Sequence, residues 1–206
     1  MANARQFMAE RTGAWSSKQL PYDAEVEYLE STGTQCIETG VLPVLGMKFD
    51  FTLERLGTGN QIYFGCRGAG TSAENYQCFA NWNGGSSAYL LFLWTGRAVG
   101  GSGSYSTYDL PLNVMTSCIG AEVVPPFAGT NGYTIQLFGF NVYGTRNTSL
   151  GVCRIKSLRA YDDEKEHVNL KAVRVGRVGY MYDSVSNQLF ENIGTGAFVI
   201  GPDKTT

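Results

Sequence analysis

The sequence predicts an all-β fold, an antiparallel sandwich of two sheets, preceded by a short helical arm. Three observations predict it. Apolar residues alternate with period two from Asp23 onward, clusters of Gly, Asn, Ser and Pro interrupt the alternation at short intervals, and helical spacing occurs only near the N-terminus. With 206 residues and 43% hydrophobic side chains, the chain can bury a sizeable core as one sandwich. No break in composition divides it, so one main domain is expected over 21–206 after an arm over 1–20.

The arm comes first. Ala4, Phe7, Met8, Arg11 and Trp15 recur at helical spacing, with Asn3 as a candidate N-cap and Gly13 near the end, before "LPYD" breaks the pattern. So short a helix has too little apolar face to fold alone and is expected to dock on its own domain, a second copy or a larger assembly. The strands follow. "KFDFTLE" is the plainest, with Phe49, Phe51 and Leu53 on one face and Lys48, Asp50, Thr52 and Glu54 on the other. "EVEYLES", "TQCIETG", "QIYFGCR", "NYQCFANW", "SAYLLFLW", "NVMTSCIGAEVV", "YTIQLFGFNV" and "VCRIKSLRAY" are the other candidates. Turns such as "RLGTGN", "RGAGTSAEN", "NGGSSA" and "PPFAGTNG" separate them. At the C-terminal end "VGYMYD" reads as a strand, "SVSN" as a turn, "QLFEN" as its hairpin partner, "IGTG" as a reversal and "AFVIG" as the closing strand of a meander.

Charge and cysteine content exclude several functions. Lys and Arg number 16 against 18 Asp and Glu, a net charge of −2, so no basic face for nucleic acid is expected. No window approaches the ~20 apolar residues of a membrane span, and the N-terminus lacks the basic start and apolar core of a secretory signal. Cys36, Cys66, Cys78, Cys118 and Cys153 form no Cys-x-x-Cys pair, and His167 is the one histidine, so ligands for zinc are scarce. Buried, reduced thiols are the expectation, with a disulfide as the alternative.

Two stretches resemble a known family. "EVEYLESTGTQCIETGV" is similar to the "YLESTGTQYIDTG" opening of bacterial and phage concanavalin A-like (laminin G-like) domains. "GVCRIKSLRAYDDEKEHVNLKAVRVGRVGYMYDSVSNQLFENIGTGAFVIG" resembles their closing pattern, an "IYD"-like turn and then a "GLYD…FYTNAGTGTF" meander. "YTIQLFGFN" resembles the strand just before it. The likeness covers roughly 24–42 and 133–201, and the middle of the chain shares only the rhythm. It implies a jelly-roll sandwich whose first and last strands meet, with turn residues that close the sandwich rather than catalyse. Ala172 stands where many members have proline, which implies a differently shaped turn. Such domains occur on bacterial surfaces and in phage or prophage virions.

Several motifs suggest chemistry. Asp23, Glu25 and Glu27 alternate as the acids of fold-related glycosidases do, but the resemblance puts them on the first strand, where charges guard a sheet edge. His167 lacks a nucleophile elbow to serve and reads as a solvated loop residue. Asp162, Asp163 and Glu164 in "YDDEKE" lack the spacing of a calcium loop and read as hydrated turn acids. "GTGN" and "GRAVGGSGS" lack the lysine and following helix of a phosphate loop. No catalytic residues, metal site or cofactor are therefore expected, and the protein is read as a non-enzyme.

The aromatics point to binding. "SAYLLFLWTG" is apolar on both faces, so its strand is either covered twice or lines a groove. Aromatic rings stack on the C–H face of a sugar while amides bond its hydroxyls. Trp82, Trp94, Tyr76, Tyr105 and Tyr108, with Asn81, Asn83 and Gln77, are the candidate ligand-binding residues; core packing under another layer is the alternative. The expected function is a carbohydrate-binding adhesion module on a phage virion or bacterial surface, with a glycan or cell-surface receptor as partner. The alternative is a structural virion protein that self-associates or meets other virion proteins through residues 1–20, and a glycoside hydrolase is a third.

Overall fold

Alternation builds the first sheet. In β4 (Lys48–Arg55) Phe49, Phe51 and Leu53 are buried while Lys48, Asp50 and Thr52 are half-buried, the pattern of a strand with one covered face. β13 (Val152–Tyr161) buries Cys153, Ile155, Leu158 and Ala160, and a bulge at Lys156 keeps them on one side. The computed structural model describes residues 20–44, 46–59, 61–67, 76–81, 90–95, 104–122, 132–146 and 151–205, with backbone alone over 76–81, 90–95, 104–109 and 121–122. The predicted arm, but for Leu20, lies outside the described residues. Among those residues there is no helix, and so none long and apolar enough to cross a membrane.

Nine strands, numbered in chain order, form this sheet, and every pairing in it is antiparallel. β9 (Met115–Glu122) pairs β4, and β4 pairs β13. The other side of β13 is divided: Val152–Ile155 meets β2 (Leu29–Thr32), and Ser157–Tyr161 meets β14 (Glu166–Val175). Beside β14 lie β1 (Ala24–Glu25) and β15 (Val178–Asp183), then β16 (Gln188–Phe190); beside β2 lies β17 (Val199–Ile200). The second sheet holds β3 (Ile37–Glu38), β5 (Gln61–Arg67), β6 (Tyr76–Asn81), β7 (Leu90–Thr95), β8 (Ser104–Asp109), β10 (Gln136–Leu137), β11 (Asn141–Val142) and β12 (Thr145–Arg146). One core cluster joins the sheets, with the Phe64 ring 5.6 Å from Phe49 and 5.3 Å from Phe51.

Three expectations are corrected, and one strand is added. The second sheet is mixed rather than antiparallel, because β11 runs parallel to β5. "YTIQLFGFNV" does not form one strand: Phe138 takes a φ of +62°, donates its N–H to the Tyr63 carbonyl at 2.6 Å, and packs on Phe198 at 4.7 Å. Tertiary burial holds this bulky residue in a backbone region it rarely adopts. Ala172 lies inside β14 opposite Met181, not in a turn; the turn falls at Gly176–Arg177. "SYSTYD", for which alternation gave no strand, is β8.

The C-terminal hairpin forms as expected, and Asp183 explains why. This carboxylate is buried and accepts from the N–H groups of Asn169 (2.8 Å), Val185 (3.1 Å) and Ser186 (2.9 Å) and from the Ser186 hydroxyl (2.6 Å). It therefore organises the Ser184–Asn187 turn as an Asx motif. The third segment does not continue the meander. β17 leaves β16 and pairs β2, so the first and last long-range partners of the chain meet.

What brings them together is polar lacing between "STGTQC" and "ENIGTGAF". Gln35 is buried; its Oε1 accepts from the Thr32 N–H at 2.9 Å, and its Nε2 donates to the Ala197 carbonyl at 3.0 Å. Asn192 accepts from the Cys36 N–H at 2.9 Å, Ile193 donates to the Cys36 carbonyl at 2.8 Å, and Thr195 and Thr34 exchange two further bonds. Gly194 lies so close that a Cβ there would sit 2.2 Å from the Thr34 carbonyl oxygen. Gly194→Ala is predicted to lower unfolding free energy by at least about 2 kcal/mol, since the backbones must part and strand their polar groups. Urea titration of the two proteins checks this.

Candidate functional site

The predicted aromatic residues fall in the second sheet. Trp94 of β7 stands directly opposite Tyr105 of β8, and Tyr108 stands opposite Leu91. In β6, Tyr76, Gln77 and Asn81 stand opposite Arg67, Cys66 and Gln61 of β5. Trp82 and Asn83 lie outside the described residues. Phe64, buried against the first sheet, starts a register row through Phe79 and Leu93 to Ser106. Trp94 and Tyr105 are each one step off that row. Alternation therefore groups Tyr76, Trp94 and Tyr105 in one set of positions and Gln77, Asn81 and Tyr108 in the other. Trp94 and Tyr105 are the two candidates that the register makes direct neighbours.

The acidic run near the N-terminus is bound up in ion pairs. The expected strand "EVEYLES" is broken into β1 and β2, and the C-terminal segment runs beside its first part, with Val26 bridged to Asp203 and Lys204 donating to the Glu25 carbonyl. The Glu25 carboxylate pairs with Lys171, meets Lys204 at 3.3 Å and accepts from the Tyr22 hydroxyl at 3.2 Å. Burial favours its neutral form, but the two ammonium groups outweigh burial and hold the carboxyl below its ordinary value. A glycosidase acid is tuned in the opposite direction. Asp23 accepts from the Gly176 N–H at 2.6 Å and lies 3.9 Å from Arg174, while Glu27 is exposed at a bend. Glu25 thus ties β1 to β14 and to the C-terminal segment, and Asp23 ties the same region to the Gly176 turn.

The "YDDEKEH" turn also differs from expectation. His167 is half-buried on β14, not a solvated loop residue, and its Nε2 lies 2.7 Å from Asp162. Asp162 also accepts from the N–H groups of Glu164 and Lys165, both at 2.8 Å, so it caps the turn instead of being merely hydrated. The His167 hydrogen bond, with those two N–H groups, pulls the Asp162 carboxyl down to about 2. Asp163 pairs with Lys48 at 2.6 Å. No group of three or more metal-ligating side chains occurs among the described residues.

The outward face of the first sheet carries a pattern that sequence reading missed. Arg154 bridges Glu30 (2.7 Å) and Glu54 (2.9 Å), and Arg159 bridges Asp50 (3.3 Å) and Glu166. Each guanidinium also covers a tyrosine ring, Arg154 on Tyr28 at 4.3 Å and Arg159 on Tyr161 at 4.1 Å. Glu30, Glu54 and Asp50 lie 100 or more positions from the arginines they meet, so no local spacing could reveal those contacts. These charges satisfy one another, which makes the face a brace between strands. Cys36, Cys66, Cys118 and Cys153 are buried, and burial pushes the Cys36 thiol up to about 12, far from a reactive thiolate.

The lowered acids set a pH dependence. Glu25, Asp162 and Asp203 all titrate below their ordinary values, so their stabilisation is complete above the unfolded carboxylate range and is lost as pH falls through the folded values. Stability is predicted to fall between about pH 4.5 and pH 2, and Asp162→Asn is predicted to reduce that fall; thermal melts across this range check both. Compared with known proteins, the chain matches no family model, no curated protein and no solved structure.

Proposed function

We propose that the protein is a non-catalytic, carbohydrate-binding adhesion module of the concanavalin A-like jelly-roll type, displayed on a phage virion or bacterial surface. One observation carries the reading: Trp94 and Tyr105 are direct cross-strand partners in the second sheet, with Tyr76 at an equivalent alternate position. By strand alternation these three positions lie off the row that Phe64 begins. Neighbouring aromatic rings there suit the C–H face of a pyranose. The meeting of β2 and β17 agrees with the jelly-roll closure that the family likeness implies. The self-satisfied charges of the first sheet leave the second as the better surface for a neutral sugar.

A single shallow site of this kind supplies about 4–6 kcal/mol, a dissociation constant of roughly millimolar to tens of micromolar, and many copies supply useful strength. Glycan arrays followed by calorimetric titration are predicted to find a neutral glycan. Trp94→Ala and Tyr105→Ala should each weaken it by about tenfold or more with the far-ultraviolet dichroism unchanged. Folded protein that binds no glycan would sink the reading.

A second reading, an assembly protein anchored through residues 1–20, is favoured by how firmly the chain is held where it enters the sheet. The Tyr22 ring packs on Tyr182 at 5.0 Å, and the Asp23 N–H donates to the Arg174 carbonyl at 2.9 Å. Force on the arm would pass directly to β14. Deleting residues 1–19 and measuring mass by light scattering tests it: an unchanged monomer with no partner lost removes the idea.

A further inference from the structure

We propose that β9 pairs antiparallel with β9 of a second copy, extending the first sheet across a two-fold axis. Among the described residues β9 ends that sheet, with β4 as its neighbour. A terminal strand offers a row of backbone N–H and C=O groups, which proteins blunt by shortness, proline or charge. The other ends of this sheet are blunted by length: β16 has three residues and β17 two. β9 has eight, and from Val114 to Ala121 the chain carries neither proline nor charge. Exposed apolar side chains lie on the same strand, Ile119 at 83% and Met115 at 37%, and just before it, Val114 at 49%.

A second copy is the occupant these features fit. A strand paired antiparallel with itself matches donors to acceptors on both sides, and a two-fold closes the assembly at two chains. The one charge in β9, Glu122, lies at its end. With the axis at the middle of the strand, the two Glu122 backbones lie about 25 Å apart, well beyond the ~8 Å screening length. The bulge at Ile119–Gly120, held by Asp50 accepting the Gly120 N–H at 2.8 Å, shortens the ladder and keeps the association weak.

The proposal is independent of any glycan. Sedimentation velocity of the full chain from about 10 µM to about 1 mM should show a monomer–dimer equilibrium centred on roughly 100 µM. Ile119→Lys and, separately, Met115→Lys should each weaken it by about tenfold or more, and deletion of residues 1–19 should leave it unchanged. Amide exchange in β9 should slow as concentration rises. A monomer throughout, a dimer indifferent to both lysines, a dimer lost with the arm, or β9 amides equally protected at every concentration would each overturn it.

Discussion

Closure of this sandwich depends on the lacing of residues 31–36 to residues 191–198. The two loops lie about 160 positions apart in the chain, yet the Gln35 amide, the Asn192 amide and the two threonines bond backbone groups across the gap. Both partners are short polar turns, and each supplies hydrogen-bond partners to the other's backbone groups. β17 then falls into register on β2, and β2 on β13. The long central strand β13 can serve two neighbours because the chain's first segment occupies the place that β14 leaves.

Charge follows the same logic. The ends of the chain are fastened by Glu25 with two lysines and by Arg174 with Asp203 at 2.6 Å. The outward face of the first sheet alternates negative, positive, negative across adjacent strands through Arg154 and Arg159. A protein with few charged residues thus uses many of them to hold strands together. These pairs are partly exposed and individually weak; their value lies in specifying which strands are neighbours.

Much of the architecture was legible in the chain. β4 and β13 lie where the alternation of "KFDFTLE" and "VCRIKSLRAY" put them, because a half-buried strand writes its period directly into its residues, and β5 lies where "QIYFGCR" put it although it is buried on both faces. The Asp183 hairpin was legible as "YDSVSN" for the same local reason. β8 was not, since Ser, Thr and Tyr alternate without an apolar face. Nor was the break at Phe138, where burial against Phe198 overrides the preference of a bulky residue. His167 was misjudged because its partner, Asp162, is set by the turn geometry and not by spacing.

By itself the sequence determined the all-β class, most strands, the hairpin turn and the buried state of the described thiols, all of which follow from local period and residue chemistry. Tertiary structure decided that the second sheet is mixed, that β17 crosses to β2, and that Arg154 and Arg159 each draw carboxylates from separate strands. It also decided that Trp94 faces Tyr105 in register. Pairing partners and register depend on contacts between distant segments, which the order of residues along one strand does not encode.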